Sequence, residues 1–242
     1  LGVVSSTEYL SRGAWTESGA QYGVLGDFGY ALEGFYRSDP GQRVNNDITQ
    51  KSVGLALQQQ ITPQDSVFAK VRWYDAGSGD LAQYYFQTNA SPTARVDESQ
   101  KPILNIGYHH EWSPGVHTLF LAGRLEDEVT FTNTIQPILM VSKDDLDGDG
   151  IPEIDAMIGN TMHQHYENKL VIYTGELQQI WEEPDHNTIV GGRIQYGDFD
   201  TVNKQNLPGF LASFFPSPPT NAADQNISTT FRRYSVYGYH QW

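Results

Sequence analysis

The chain has 242 residues, enough for one large β-domain or two small domains. Its net charge of −14 argues against a nucleic-acid-binding protein, which needs clustered Lys and Arg, and the absence of Cys excludes disulfides and thiolate metal sites. Fourteen Tyr, eleven Phe and five Trp accompany 23 Gly, a mixture that favours strands, where aromatic side chains fit a pleated surface. No apolar run approaches the ~18 residues of a membrane helix, whereas a transmembrane barrel is compatible with this sequence because its strands show lipid only every second residue.

Apolar and polar residues alternate with a period of two along most of the chain, as expected for strands with two different faces. In residues 51–60, for example, Val53, Leu55 and Leu57 share one face. No segment shows a helical period with caps, so the sequence predicts an all-β fold. The predicted strands cover residues 20–25, 28–37, 51–60, 66–74, 103–112, 117–126, 169–181, 187–198 and 231–242.

Short and long links alternate between these strands. The short links contain Pro or Gly, which supply the φ values of tight turns, and they lie at 26–27, 62–65, 113–116 and 183–186. The long links lie at 38–47, 75–100, 127–166 and 199–230. Outer-membrane barrels have short periplasmic turns and long extracellular loops. The sequence therefore predicts an antiparallel, up-and-down transmembrane β-barrel with about nine or more long strands, located in a bacterial outer membrane.

A soluble β-sandwich or β-solenoid would give the same alternation, because one strand face packs on a core and the other meets water. Two observations favour the barrel. The predicted strands exceed the usual five or six residues, and their apolar faces carry few large side chains that could interdigitate. In a barrel, aromatic residues near strand ends form the interfacial girdles. The candidates are Trp73, Tyr108, Trp112, Trp181 and Tyr196.

We expect residues 1–242 to form a single domain that is a segment of a longer chain. Leu1 is not an initiator methionine, and the first twenty residues lack the basic segment and apolar core of a signal peptide. An outer-membrane protein needs a signal peptide for export, which is why we expect the sequence to be a segment of a longer chain.

Three stretches carry a family resemblance. They are residues 34–46 (GFYRSDPGQRVNN), 59–85 (QQITPQDSVFAKVRWYDAGSGDLAQYY) and 109–125 (HHEWSPGVHTLFLAGRL). These stretches resemble the barrel region that follows tetratricopeptide repeats in some bacterial outer-membrane proteins. The resemblance implies a C-terminal barrel whose partner is a periplasmic repeat domain of the same chain, and it implies no defined cargo.

Residues 144–155 read DDLDGDGIPEID and predict a Ca²⁺ site in a long extracellular loop. Alternate carboxylates at this spacing can wrap one ion, and Gly150 permits the sharp turn that such a loop needs. The predicted ligands are oxygen atoms of Asp145, Asp147, Asp149, Ile151 and Glu153. Position twelve of the motif is Ala156, so the bidentate Glu of an EF-hand is absent, and the motif is closer to the shorter calcium loops of β-rich extracellular repeats. The alternative is an acidic, solvated turn that binds nothing.

Charged residues opposite the apolar strand faces form a candidate pore lining. It consists of Lys70, Arg72, Glu111, Arg124, Glu126 and Arg193. The pattern assigns Glu33 and Glu176 to the same side of the strands. Two compatible hypotheses account for them: a salt-bridged ladder that stiffens the barrel, or a filter that attracts polar solutes. In this assignment Leu119, Leu121 and Leu125 face lipid.

The functional expectation is a pore, or the outer-membrane conduit of a transport or export system, in contact with membrane lipid. No Ser and His stand at a spacing that indicates a catalytic pair, so we expect no enzymatic activity. The alternative from another class is a soluble, calcium-dependent β-rich binding module, for example one that holds carbohydrate. The sequence does not indicate the cargo.

Overall fold

A computed structural model describes residues 1–144, 148, 150, 151, 153–206 and 224–242. Ten strands form one antiparallel sheet, in which each strand pairs with its neighbours in the chain. The strands are β1 (Gly2–Leu10), β2 (Ala14–Leu25), β3 (Phe28–Asp39), β4 (Ile48–Gln60), β5 (Asp65–Ser78), β6 (Arg95–Ser113), β7 (Val116–Asp144), β8 (Glu153–Glu183), β9 (His186–Asn206) and β10 (Gln225–Gln241). A short 3-10 helix at Gln87–Asn89 lies between β5 and β6. Within these residues, no helix is long and apolar enough to cross a membrane.

The all-β class and the up-and-down order of the strands confirm the sequence prediction. Four short links, at 26–27, 61–64, 114–115 and 184–185, join consecutive strands at one end of the sheet. Gly26 and Gly115 adopt φ values of 60° and 80° in two of them, a conformation that side-chain-bearing residues rarely adopt. The sheet is not closed in the described residues, because β1 pairs only with β2 and β10 only with β9.

The sheet is larger than the sequence predicted: β2 begins at Ala14 and β6 at Arg95, β9 extends to Asn206, and β10 begins at Gln225. The strand β1 was not predicted, and most of the expected long link at 127–166 is strand. β7 and β8 contain 29 and 31 residues and remain paired to Asp144 and Glu153. The alternation gives no signal there because apolar residues fall on both faces of the strand, as Leu139 and Ile138 do.

The pairing register assigns every side chain to a face, because residues directly opposite each other in a ladder point to the same side. One row runs across seven strands through Leu57, Ala69, Ile106, Ala122, Gly175, Ile194 and Tyr234. We call the side of the sheet that carries this row the apolar face. The adjacent row runs through Ala56, Lys70, Asn105, Gly123, Thr174, Gln195 and Arg233. It belongs to the opposite side, which we call the polar face.

Large side chains on the apolar face are exposed. Ile106, Ile194 and Val236 retain 62%, 58% and 87% of their accessible surface. Among the described residues, the only buried hydrophobic side chains are those of Ala14 and Ala94. The described sheet therefore has no second layer packed on it and no hydrophobic core, in contrast to the two packed sheets of a soluble sandwich.

The register corrects the face assigned to three leucines. Leu121 lies opposite Gly107 and Glu176, Leu119 lies opposite His109, and both belong to the polar face. Leu125 follows the same alternation, so the expectation that these leucines face lipid is wrong. The apolar face of β7 is instead formed by Phe120 and Ala122. The sequence pattern was ambiguous because β7 carries apolar residues on both faces.

Aromatic side chains mark two levels on the apolar face. Near the short turns, the rings of His110 and Trp112 lie 4.4 Å apart, and Trp112 Nε1 donates to Thr118 Oγ1 at 2.9 Å. All five predicted girdle residues lie on the apolar face. Tyr108, Trp112 and Trp181 are on the side of the short turns, and Trp73 and Tyr196 are on the side of the long loops. On β8 the segment between the two levels runs from Tyr173 to Trp181. Its length matches the ~9–11 residues with which a tilted strand crosses a bilayer.

Candidate functional site

Four of the six predicted pore-lining residues share the polar face. Lys70 and Arg72 project from β5, Glu111 from β6 and Arg193 from β9, as the ladders place them. The register thus places basic groups from β5 and β9 on one face, although β6, β7 and β8 lie between these two strands. Between them, the apolar side chains of Phe68, Leu119 and Leu121 interrupt the polar face.

Glu176 is a heavily bonded carboxylate on the polar face. Its side chain keeps 5% of its accessible surface and lies directly opposite Arg193. Arg193 Nε donates to Glu176 Oε2 at 2.7 Å, and Arg193 Nη2 lies 2.6 Å from the same oxygen. Gln178 Nε2 donates to its second oxygen at 2.9 Å, and the Tyr237 hydroxyl donates to the same oxygen. The Tyr237 ring lies over Gly191, where an added Cβ would lie 2.5 Å from it. This network joins β8, β9 and β10.

Lys70 and Arg72 differ from Arg193. In the described part of the chain, neither has an acidic partner within 4.0 Å. Arg72 lies opposite Gly54, which in turn lies opposite Glu33. Because Gly54 has no side chain, a groove of about 570 Å³ opens beside Arg72 and is lined also by Glu33, Gln50 and Tyr74. The salt-bridged ladder is therefore observed for Arg193 and Glu176, whereas Lys70 and Arg72 take no part in it among the described residues.

A second pocket on the polar face was not predicted. It has a volume of about 470 Å³, and Phe68, Leu119 and Leu121 form its apolar wall. His109 Nε2 lies 3.0 Å from His117 Nδ1 at its edge. The sequence signal for this pocket is weak, since its residues come from separate strands and become neighbours only through the register.

The structure contradicts the assignment of Arg124 and Glu126 to the pore lining. Arg124 lies opposite Leu104 and Tyr173, and Glu126 lies opposite Lys101, all on the side of the apolar face. The physical reason is the alternation of side chains along β7. Leu119, Leu121 and Leu125 point to the polar face, so Arg124 and Glu126, which alternate with them, point to the opposite face. These two side chains contact each other and belong to a separate charged cluster outside the candidate lining.

A rim cluster at the long-loop end was also missed by the sequence analysis. Its centre is the carboxylate of Asp80, which is 8% exposed. It accepts hydrogen bonds from the backbone N–H of Ser91 at 2.7 Å, the N–H of Ala82 at 3.0 Å and the Tyr84 hydroxyl at 3.0 Å. Arg43 Nη2 lies 3.7 Å from the carboxylate and also donates to the backbone oxygen of Ala82.

The same cluster ties two loops to the sheet. Asn45, at φ 55°, donates to the carbonyl oxygens of Ser91 and Ala94, each at 2.8 Å. Asn133 of β7 is 2% exposed and accepts hydrogen bonds from the hydroxyls of Ser91 and Thr93. Side-chain hydrogen bonds, both to backbone atoms and to other side chains, therefore hold the loops at 40–47 and 79–94.

Two effects act on the pKa of Asp80 in opposite directions. Burial is the largest single effect and raises it, but the hydrogen bonds from Ser91, Ala82 and Tyr84 and the charge of Arg43 together lower the pKa below its usual value. The carboxylate is consequently ionised near neutral pH. Its stabilising effect on the loops is present above the unfolded pKa of about 3.9 and is lost as the pH falls through the folded value.

Most of the predicted calcium site lies outside the described residues. This applies to Asp145, Asp147 and Asp149 and to the side chain of Glu153, while Ile151 is described and exposed. Gly148 and Gly150 adopt φ values of 77° and 87°, as a sharp turn requires. Elsewhere in the described part of the chain, no group of three or more His, Asp or Glu side chains is placed to hold a metal ion.

Comparison with solved structures identifies the fold. The chain is similar to FpvA of P. aeruginosa, solved in complex with a heterologous pyoverdine and iron, with a TM-score of 0.59 and 11% sequence identity over 99% of this chain and 34% of FpvA. FpvA is an outer-membrane β-barrel, so the sheet has the fold of part of such a barrel. The chain spans about a third of the length of FpvA.

A weaker similarity links the chain to the RagAB peptide transporter, with a TM-score of 0.46 and 13% identity over 94% of this chain and 29% of that chain. This value is too low to add to the fold assignment. No protein-family model matches the sequence. No curated protein matches it.

The rim cluster generates a prediction for Asp80→Asn. This change keeps the shape of the side chain but removes the charge that three donors and Arg43 share. Hydrogen bonds to a charged group contribute ~1.5–3 kcal/mol, so amide exchange in residues 79–94 should accelerate by about tenfold or more. Hydrogen-exchange mass spectrometry at neutral pH measures this. Asp75→Asn is the control, because the Asp75 side chain is 57% exposed and forms an ion pair with Lys51 in place of a hydrogen-bonded loop. Equal exchange in the two variants would contradict the role of Asp80.

Proposed function

We propose that the chain forms part of an outer-membrane β-barrel that moves polar solutes across a bacterial outer membrane, as a pore or as the conduit of a transport system. One observation carries the proposal: a single sheet exposes Ile106, Ile194 and Val236 on one face and groups Lys70, Arg72, Arg193 and Glu176 on the other. In water, exposed apolar area of this extent is unfavourable. In a bilayer, the same face contacts hydrocarbon and the other lines a wet lumen.

The polar face supports transport of solute rather than a purely structural barrel. Lys70 and Arg72 are not neutralised by a neighbouring carboxylate among the described residues, and Arg72 borders the groove with Gln50 and Tyr74. Charged side chains that line a lumen attract or orient polar solutes of opposite sign. The resemblance to barrels that follow tetratricopeptide repeats suggests a periplasmic repeat region of the same protein as the partner, and we propose no enzymatic role.

We also propose that the acidic segment binds Ca²⁺ through Asp145, Asp147, Asp149, Ile151 and Glu153. The support is the spacing of the carboxylates in the sequence and the position of the segment at the end of a hairpin. β7 and β8 are paired up to Asp144 and Glu153, so the two ends of the segment are held together. Close carboxylates repel one another unless a cation lies among them. An extracellular loop needs only a modest affinity, with Kd around 10⁻⁴ to 10⁻³ M.

The transport proposal predicts a change in ion selectivity when the lumen charges are reversed. The full-length protein in planar lipid bilayers should conduct ions, and Lys70→Glu combined with Arg72→Glu should shift its selectivity several-fold toward cations. The control is Lys51→Glu on the other side of the sheet, where Lys51 lies 3.5 Å from Asp75. A protein that inserts and conducts, but whose selectivity is the same in the double variant and the control, would contradict the assignment of these residues to the lumen.

The calcium proposal predicts protection from proteolysis. Calcium at ~1 mM, near the weak end of extracellular affinities, should slow cleavage between Asp127 and Tyr166 in the wild type relative to chelator. Asp147→Ala should abolish this protection, while Asp185→Ala in a short turn should leave it unchanged. Limited proteolysis followed by mass spectrometry measures the cleavage rate. If calcium protects the wild type and Asp147→Ala to the same extent, or protects neither, the segment is an acidic turn without a bound ion.

A further inference from the structure

Two histidines on the polar face are in direct contact near the short turns. His109 of β6 and His117 of β7 are diagonal neighbours, because Leu119 lies opposite His109 and Glu111 lies opposite His117. His109 Nε2 lies 3.0 Å from His117 Nδ1, and the ring centroids are 5.1 Å apart. Among the described residues, the other nitrogen of each ring has no hydrogen-bond partner. The two rings are therefore bonded to each other and not to a third group.

The spacing of the two facing nitrogens is that of a chelating pair. Imidazole nitrogens bind Zn²⁺ at about 2.0–2.1 Å, so two nitrogens on one ion are about 2.9 Å apart at a right angle and about 3.4 Å apart at the tetrahedral angle. The observed 3.0 Å falls between these values. In the neutral pair, one ring donates its N–H to the other. When that ring adopts its other tautomer, both facing nitrogens carry a lone pair, and a small rotation of the rings directs both at one ion.

The carboxylate of Glu111 is a third group at the same place. Glu111 lies directly opposite His117 and two residues from His109, so the three side chains share the polar face. Residues directly opposite each other have Cβ atoms about 4.5–5.5 Å apart, within the reach of a glutamate side chain. In the described part of the chain, this carboxylate has no hydrogen bond or ion pair. It does not close on the two nitrogens in this conformation, but no bond opposes the rotation that brings it to them.

The charge around the pair favours a cation. Residues 52–69, 102–123 and 170–192 contain no Lys or Arg, and these segments include the short-turn ends of β4 to β9. The nearest rows with a basic residue contain Arg193, which is already paired with Glu176. Glu182 follows on the same face, two residues after Ile180, which lies opposite His117. A divalent ion at the pair would therefore meet carboxylates and no unpaired positive charge.

A second histidine pair at the same end of the sheet provides a matched contrast. His186 and His240 stack on the apolar face with ring centroids 5.5 Å apart. His240 Nδ1 lies 2.8 Å from Thr188 Oγ1, and no hydrogen bond joins the two rings in the part of the chain that the structure describes. This pair has the same residue type and the same depth along the strands, but it lacks facing nitrogens and a neighbouring free carboxylate.

We propose that His109 and His117 bind one divalent transition-metal ion, of the class of Cu²⁺, Ni²⁺ and Zn²⁺, with Glu111 as the third ligand. Imidazole nitrogen suits these ions, whereas Ca²⁺ and Mg²⁺ take oxygen ligands. His109 also lines the pocket of about 470 Å³ on the polar face, so the ion reaches the pair from that side and keeps water in its remaining positions. The inference depends on the pairing of β6 with β7 and not on the transport proposal or the acidic segment at 144–155.

The test uses the full-length protein in detergent micelles with Cu²⁺ alone as the probe, because Cu²⁺ binds most tightly among these ions. Electron paramagnetic resonance counts the nitrogens on the bound ion. Below one equivalent of Cu²⁺, the wild type and the control His186→Gln should both show two-nitrogen coordination, and Zn²⁺ but not Mg²⁺ should displace the ion. His109→Gln and His117→Gln should each lose the two-nitrogen signal. Glu111→Gln should keep this signal with a lower affinity for Cu²⁺.

Circular dichroism of each variant, which should match the wild type in strand content, separates loss of a ligand from loss of the fold. Oxygen-only coordination of Cu²⁺ in the wild type overturns the inference without any variant. Two-nitrogen coordination that persists in His109→Gln, or that is lost in His186→Gln, assigns the ion to other histidines and also overturns it. Unchanged affinity in Glu111→Gln removes Glu111 from the ligands and contradicts the three-ligand site.

Discussion

The hydrogen-bond ladders between neighbouring strands determine the rest of this structure. Within a bilayer no water satisfies backbone N–H and C=O groups, so each strand must pair with its neighbours along its full spanning length. Once Ile106 lies opposite Ala122 and Ala69, the face of every residue on these strands follows from alternation. A shift of one residue would exchange the faces of Lys70 and Ile194. In the proposed barrel, this shift would place Lys70 in hydrocarbon and Ile194 in the lumen.

Side-chain contacts on the two faces support this register in different ways. On the polar face, Glu176 connects three strands through Arg193 and Tyr237, and its neighbours satisfy both of its oxygens. At the long-loop end, Asp80 organises two loops through backbone donors. On the apolar face, large side chains such as Ile106 and Ile194 are exposed and pack on no second layer among the described residues. In the proposed outer-membrane location, lipid supplies the packing that a soluble domain finds in its own core.

The sequence predicted the fold class, the strand order and the four short turns, because period-two alternation and Pro or Gly turns are local signals. It did not predict the faces of β7, where Leu121 and Phe120 are both apolar, or the irregularity between Lys101 and Leu104 that places Lys101 on the side of the apolar face. These depend on pairing with strands that are distant in sequence. The Asp80 cluster was missed for a different reason: its donors at residues 82, 84 and 91 lie in the irregular link between β5 and β6, where no alternation gives a signal, and Arg43 comes from another link.

The most direct test of the central claim is the environment of two adjacent residues on β7. The chain has no Cys, so single spin labels can be attached to Phe120→Cys and Leu121→Cys in the full-length protein in liposomes. Molecular oxygen concentrates in hydrocarbon, while a water-soluble nickel complex stays in the aqueous phase. In a membrane-spanning sheet with this register, the label at 120 should collide mainly with oxygen and the label at 121 mainly with nickel. Equal accessibility to nickel at both positions, or the reverse pattern, would contradict a membrane-spanning sheet with this register.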